Sequence, residues 1–229
     1  MYILSLETST NVCSVAIHKE AVLVAYLETT IEKSHSEKIT LMIAHGVEMA
    51  KIEMKDLAAV AVSKGPGSYT GLRIASSTAK GLCFALDLPL ISMDTLQSMA
   101  LEMAEKLKPV LNQKSIIAPM IDARRMEVFT CLYSPENEPI SATEAKIIDE
   151  SSFEDLLADK TLFFCGNGAD KCKSVIKNNN ALFIENIYPS AKYIGKIAFE
   201  KYKTQSFADV VNYEPNYGKE YYSPTFAQP

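Results

Sequence analysis

Lys64-Gly65-Pro66-Gly67-Ser68-Tyr69-Thr70-Gly71-Leu72-Arg73 is the run on which the reading of this chain turns. It follows the apolar residues 57–62, which read as a buried strand, and precedes residues 71–86, a stretch without proline that reads as a helix. The run is therefore a glycine-rich strand-to-helix turn. Its glycines permit positive φ and close backbone approach. Ser68 or Thr70 can cap the helix by accepting a backbone N–H. A phosphate cradle at the helix start and a plain tight turn both fit. A Walker A loop does not, because no Gly-Lys-Ser/Thr ending follows. The Gly65/Gly67/Gly71 spacing also fails to match the dinucleotide fingerprint.

The helix that follows has two unusual faces. Leu72, Ala75, Ala79, Leu82, Cys83 and Leu86 fall on one apolar side at helical spacing. The opposite side carries Ile74, Ser77, Thr78, Gly81 and Ala85 where a solvated helix would carry charge. Arg73 and Lys80 lie together on one flank. Such a helix is expected to be buried twice, against a sheet and against a second helix from this chain or another. The preceding helix opens at a capping-box pattern, Ser34-x-x-Glu37. Ile39, Met42, Ile43, Gly46, Val47 and Ala50 form its inner face, with Leu41, Ala44, His45 and Ile52 opposite.

Outward from this centre, residues 2–8, 12–18 and 21–29 read as three strands joined by tight turns, an antiparallel meander. The first hairpin holds Glu7-Thr8-Ser9-Thr10, an acid beside hydroxyls. It is a candidate phosphate or metal loop, and equally an ordinary polar hairpin. A short strand at 89–93 follows the central helix, and Asp94 or Thr95 caps another helix to about 106. This order predicts an α/β chain with a mixed sheet.

Polar residues 108–114, with Pro109, mark a lobe boundary, giving lobes 1–109 and 110–229. The second half reads as strands at 115–121, 126–133, 141–148, 161–165 and 182–184. Its helices are expected near 152–158, from Gly166-Asn167-Gly168 to about 177, and at 190–202. The tail from 212 is rich in proline and tyrosine and is expected along the surface.

Composition narrows the function classes. The 229 residues suffice for a sizeable core. No run approaches the ~20 apolar residues of a membrane span. The start, MYILSLETST, contains Glu7 and no basic residue, and reads as a strand rather than a signal peptide. The five cysteines form no C-x-x-C pair, so a reduced, cytoplasmic setting without structural zinc is expected. A net charge of −5 disfavours a free-standing nucleic-acid binder. Basic residues occur only in short sets: Arg124-Arg125; Lys171, Lys173 and Lys177; Lys192, Lys196, Lys201 and Lys203.

Catalytic spacing is sparse. The histidines are His18, His35 and His45. The last two stand about 15 Å apart along a helix, too far to share an ion. His18 is expected near an exposed strand end. No nucleophile elbow is present. Glu7 and Asp122 are the two candidates for holding Mg²⁺ near a phosphate.

Three stretches together resemble the bacterial TsaB family, also called YeaZ: residues 3–10, residues 63–74, and Asp122-Ala123-Arg124-Arg125-Met126-Glu127-Val128-Phe129. The Gly-Pro-Gly-Ser-Tyr-Thr-Gly-Leu-Arg run is the specific signal. The resemblance implies a two-lobed fold of the actin/Hsp70/sugar-kinase (ASKHA) type. It implies a non-catalytic role in making N6-threonylcarbamoyladenosine at adenosine 37 of tRNA. The implied partners are TsaD, the metal-holding paralogue that performs the transfer, and the ATPase TsaE. Self-pairing is implied when TsaD is absent, and tRNA contact only through the complex.

The resemblance also implies pairing through the first two helices, which places Leu41, His45, Ile52, Ile74, Ser77, Thr78, Gly81 and Ala85 at the partner interface, with ATP or ADP possible there. Two departures stand out: Glu7 where aspartate is expected, and Pro215-Asn216-Tyr217-Gly218-Lys219 where Pro-x-Tyr-Leu-Arg is expected. The alternative is a stand-alone ATPase or metal-dependent, protease-like hydrolase of the same fold.

Overall fold

Strand β1 (Tyr2–Glu7) shows how the chain is built. Its side chains alternate between two faces, and both are buried. Leu4 and Leu6 join one core while Ile3 joins another. A sheet hidden on both sides needs helices on both sides, and the computed structural model, which describes residues 1–30 and 35–218, supplies them.

β1, β2 (Cys13–Lys19) and β3 (Val22–Thr29) form the antiparallel meander. β4 (Leu57–Ser63) and β5 (Leu90–Met93) extend it in parallel, in the order β3-β2-β1-β4-β5. Helices α1 (His35–Met49) and α2 (Tyr69–Leu86) cover the face bearing Leu4, Leu6, Val15 and Val62. The Ser34 capping box lies outside the described residues.

The second half repeats the plan. β6 (Ser115–Asp122), β7 (Glu127–Thr130) and β8 (Glu144–Ile147) form an antiparallel run, and β9 (Thr161–Cys165) and β10 (Ala181–Ile184) continue it in parallel. The order β10-β9-β6-β7-β8 is the first sheet's order read from its other edge. Short helices α4 (Glu154–Leu157) and α5 (Ala169–Cys172) cover one face through Met120, Leu162 and Phe164. α5 is much shorter than the helix expected to 177, and β7 is shorter than the strand expected over 126–133. The pairing of β7 ends at Thr130, and Tyr133 makes only an isolated bridge to Ile117.

The first sheet ends with β5 at Met93 and the second begins with β6 at Ser115, but the last helix of each half packs on the other sheet. α3 (Thr95–Leu107) packs Leu96, Met99 and Met103 against Ile117, Phe129 and Phe163 of the second sheet. α6 (Ala191–Lys203) packs Ile194 and Ala198 against Ile3, Ala61 and Ile91 of the first. The lobes are interlocked, so neither sheet is covered by its own half alone. All five cysteines are free and buried. Among the described residues no helix is long and apolar enough to cross a membrane.

Candidate functional site: the signature turn, the outward helix face and the C-terminal strap

The signature run forms a tight turn against the first hairpin. Ser68 caps α2 by accepting from the Gly71 amide at 3.2 Å. The Ser68 amide donates to the Ser9 carbonyl at 2.6 Å, and the Thr8 hydroxyl donates to the Gly71 carbonyl at 2.6 Å. An added Cβ at Gly67 would collide with Ser9, and one at Gly71 with the Thr8 carbonyl. Gly65, at φ 108°, precedes Pro66 in a cis peptide, and its carbonyl accepts from the Thr95 amide at 3.0 Å. The glycines thus let β1, α2 and α3 meet backbone to backbone.

This contact covers the loop that the sequence offers as a phosphate or metal candidate or as an ordinary polar hairpin. Glu7, Thr8 and Ser9 are buried beneath α2. Glu7 Oε1 accepts from the Ser9 amide at 2.6 Å, while Oε2 has no partner. Burial pushes its carboxyl pKa up, against the opposing hydrogen bond from the Ser9 amide. Asp122 belongs to a separate cluster in the second lobe. Its partial burial works against ionisation, but contacts from Lys171 and the Arg124 amide hold its pKa below the usual range.

The histidines are scattered. His18 is buried, not exposed: its Nε2 lies 3.0 Å from the Lys192 carbonyl and its ring packs on Gly195 of α6. Burial lowers its pKa to about 4. His35 is buried with Nε2 2.9 Å from the Thr10 carbonyl, and His45 is exposed.

The outward face of α1 and α2 is the larger apolar feature. Leu41 is 56% exposed and Met49 55%, with His45 beside them. On α2, Ser77, Gly81 and Ala85 are exposed, and an added Cβ at Gly81 meets nothing within 4 Å. Ile74 and Thr78 are half-buried, and the Thr78 hydroxyl donates to the Ile74 carbonyl. Ile52 and Ile74 pack partly on the core of their own lobe. Phe84 is 88% exposed and was missed from the sequence. Its signal was its position seven residues after Ser77, two turns along the same stripe.

A groove of about 480 Å³ opens at the N-terminal ends of these helices, lined by Ile39, Thr40, Tyr69, Thr70, Arg73 and neighbours. The tail passes beside it and meets two of its lining residues, Tyr69 and Arg73, through Tyr217. Ala208 pairs with Leu90 at the edge of the first sheet. Lys80 donates to the carbonyls of Val211 and Tyr213 at 2.9 and 3.2 Å. The Asn216 amide donates to the Lys64 carbonyl at 2.6 Å. Tyr217 stacks on Tyr69 with centroids 4.4 Å apart, and Arg73 caps the Tyr69 ring at 4.4 Å while donating to the Tyr217 hydroxyl at 3.2 Å. The flank formed by Arg73 and Lys80 therefore holds a strap. Pro215, Asn216, Tyr217 and Gly218 lie along it, and Lys219 is outside the described residues.

The model of a family described as TsaD, tRNA N6-adenosine threonylcarbamoyltransferase, matches residues 28–187. The tRNA threonylcarbamoyladenosine biosynthesis protein TsaB of Buchnera aphidicola subsp. Acyrthosiphon pisum is 33% identical over 219 residues, 92% of this chain and 96% of its own length. Escherichia coli TsaB is 32% identical over 140 residues, 61% of this chain and 58% of its own length. In structure, a Pseudomonas aeruginosa protein described as similar to the peptidase YeaZ superposes with a TM-score of 0.84 at 23% identity, over 95% of this chain and 99% of that one. The activator of 2-hydroxyisocaproyl-CoA dehydratase from Clostridium difficile, with bound ADPNP, shares the two-lobed actin-like fold at a TM-score of 0.50 and 9% identity, over 90% of this chain and 97% of that one. The chain belongs to the TsaB (YeaZ) family, with a role in tRNA threonylcarbamoyladenosine synthesis.

Proposed function

We propose that this chain is a non-catalytic subunit that supports threonylcarbamoyl transfer by pairing with the paralogous transferase TsaD through α1 and α2. The observation that carries the reading is the outward face of those helices. Phe84 of α2 and Leu41 and Met49 of α1 are exposed, and Gly81 and Ala85 of α2 are exposed small residues that let another helix approach closely. A patch of this kind is unfavourable in water and favourable against a matching helix pair.

TsaE joins the assembled pair in this reading, and a second copy of this chain takes the same face when TsaD is absent. A nucleotide, ATP or ADP, would lie in the adjoining groove. Arg73 offers a guanidinium for its phosphates there, and Thr40 and Thr70 offer hydroxyls. A stand-alone ATPase or hydrolase draws no support from Glu7. Its carboxyl is sealed from solvent beneath α2, and burial raises its pKa, so it presents no open carboxylate to a Mg²⁺ at a phosphate.

Reconstituted modification of tRNA tests the proposal. Supplied with threonylcarbamoyl-adenylate as donor and with TsaE, TsaD with this chain should modify tRNA, releasing AMP, and TsaD with the Phe84→Glu variant should lose most activity while the variant stays folded. Equal activity with the variant, or full activity of TsaD alone, would refute the reading.

A further inference from the structure

The hairpin joining β6 to β7 carries two consecutive arginines in the left-handed region, Arg124 at φ 71° and Arg125 at φ 47°. Glycine, asparagine and aspartate take this conformation readily, and arginine does so at a cost. The turn is braced from three directions. The Asp122 carboxylate accepts from the Arg124 amide at 2.9 Å. The Glu127 amide donates to the Arg124 carbonyl at 3.1 Å. Lys171 of α5 donates to the carbonyls of Arg125 and Glu127, both at 2.7 Å, and pairs with Asp122.

The charges at this tip are not balanced. Lys171 engages Asp122, one of the two carboxylates that flank the turn, with Glu127, so three cations face two acids there. Both arginines are exposed, and no ion pair among the described residues involves either one, although the Arg124 charge helps lower the Asp122 pKa. The turn therefore fixes where two exposed arginine side chains leave the backbone. That geometry suits phosphate oxygens, which a fork can grip with two parallel hydrogen bonds. A braced turn also loses little conformational freedom on binding.

We propose that Arg124 and Arg125 contact the phosphate backbone of the tRNA held by the assembled complex. The proposal rests on the reading that this chain works beside a transferase on tRNA. The contact is contributory, because a chain of net charge −5 with two exposed arginines at one turn cannot hold RNA by itself.

The test is binding of an unmodified tRNA transcript to the complex with TsaD, measured across a salt series. The Arg124→Asn/Arg125→Gly variant replaces both arginines with residues that accept positive φ. It should pair with TsaD normally and melt at the same or higher temperature. It should bind tRNA about tenfold more weakly at low salt, as expected for lost charge-assisted contacts. Its plot of log affinity against log salt should be shallower by about one to two units. Arg124→Lys/Arg125→Lys should restore most of the slope. Unchanged affinity and slope in the Asn/Gly variant would overturn the proposal. A wild-type complex that fails to form, or that binds no tRNA, would overturn the underlying reading and the tip contact with it.

Discussion

His18 on β2 and Gly195 on α6 share one space: the imidazole lies where a Cβ on residue 195 would stand. The contact clamps the last helix onto the first sheet. The Ala191 amide donates to the Ser14 hydroxyl at 2.9 Å, and the Lys192 carbonyl meets His18 Nε2 at 3.0 Å. Gly195→Ala should therefore destabilise the chain despite the better helix propensity of alanine. Overpacking of this kind costs about 1–3 kcal/mol. Urea denaturation measures it, and an unchanged midpoint would mean that α6 sits further from the sheet.

The same histidine sets an acid limit. Its folded pKa is about 4 against 6.5 for the free side chain. Between these values the unfolded chain binds a proton that the folded chain refuses. Stability from this group is therefore full above pH 6.5 and falls as pH drops toward 4, by up to about 3 kcal/mol. Denaturant midpoints of the wild type and His18→Gln over this window should diverge in slope, the variant losing less on acidification.

Glu7 acts with the opposite sign. Its pKa is raised above 4.5 by burial, so the folded chain holds a proton that the unfolded chain releases. Its contribution is full below pH 4.5 and declines as pH rises toward the folded pKa. Glu7→Gln mimics the neutral acid and keeps an acceptor for the Ser9 amide. It should raise stability at pH 7 and leave it unchanged near pH 4. Loss of stability at pH 7 would show that the carboxylate is ionised and paired in the folded chain.

Two glycines of one helix should respond in opposite directions to alanine. Gly71 abuts the Thr8 backbone, so Gly71→Ala must push β1 and α2 apart and should cost about 1–3 kcal/mol. Gly81 faces open space, so Gly81→Ala should gain about 0.5–1 kcal/mol from helix propensity alone. Thermal melts of the two variants check the contrast.

Much of this was legible in the sequence, where periodicity carries the information. Strand β1, the glycine turn and the apolar face of α2 each followed from spacing, while the choice of Ser68 over Thr70 as cap came only with the structure. What was hidden depends on residues remote in the chain. The apolar stripes of α3 and α6 announce burial but not the sheet that buries them, and each crosses to the other half. Glu7-Thr8-Ser9 reads as a polar hairpin loop, and its burial shows only when Gly67 and Gly71 bring α2 down upon it. His18 looked exposed because Gly195, which makes room for it, lies near the far end of the chain. The tail lacks a period, yet Lys80 and Arg73 fix it through carbonyl and hydroxyl acceptors that no side-chain pattern encodes.

Light scattering during size-exclusion chromatography, on this chain mixed with TsaD of the same organism, tests the central claim most directly. The account predicts a one-to-one complex that Gly81→Arg abolishes while the variant keeps its circular dichroism spectrum, because a buried unpaired charge at that open position costs several kcal/mol, about a thousandfold or more in affinity. A chain that elutes apart from TsaD, or a Gly81→Arg variant that pairs as well as the wild type, would contradict it.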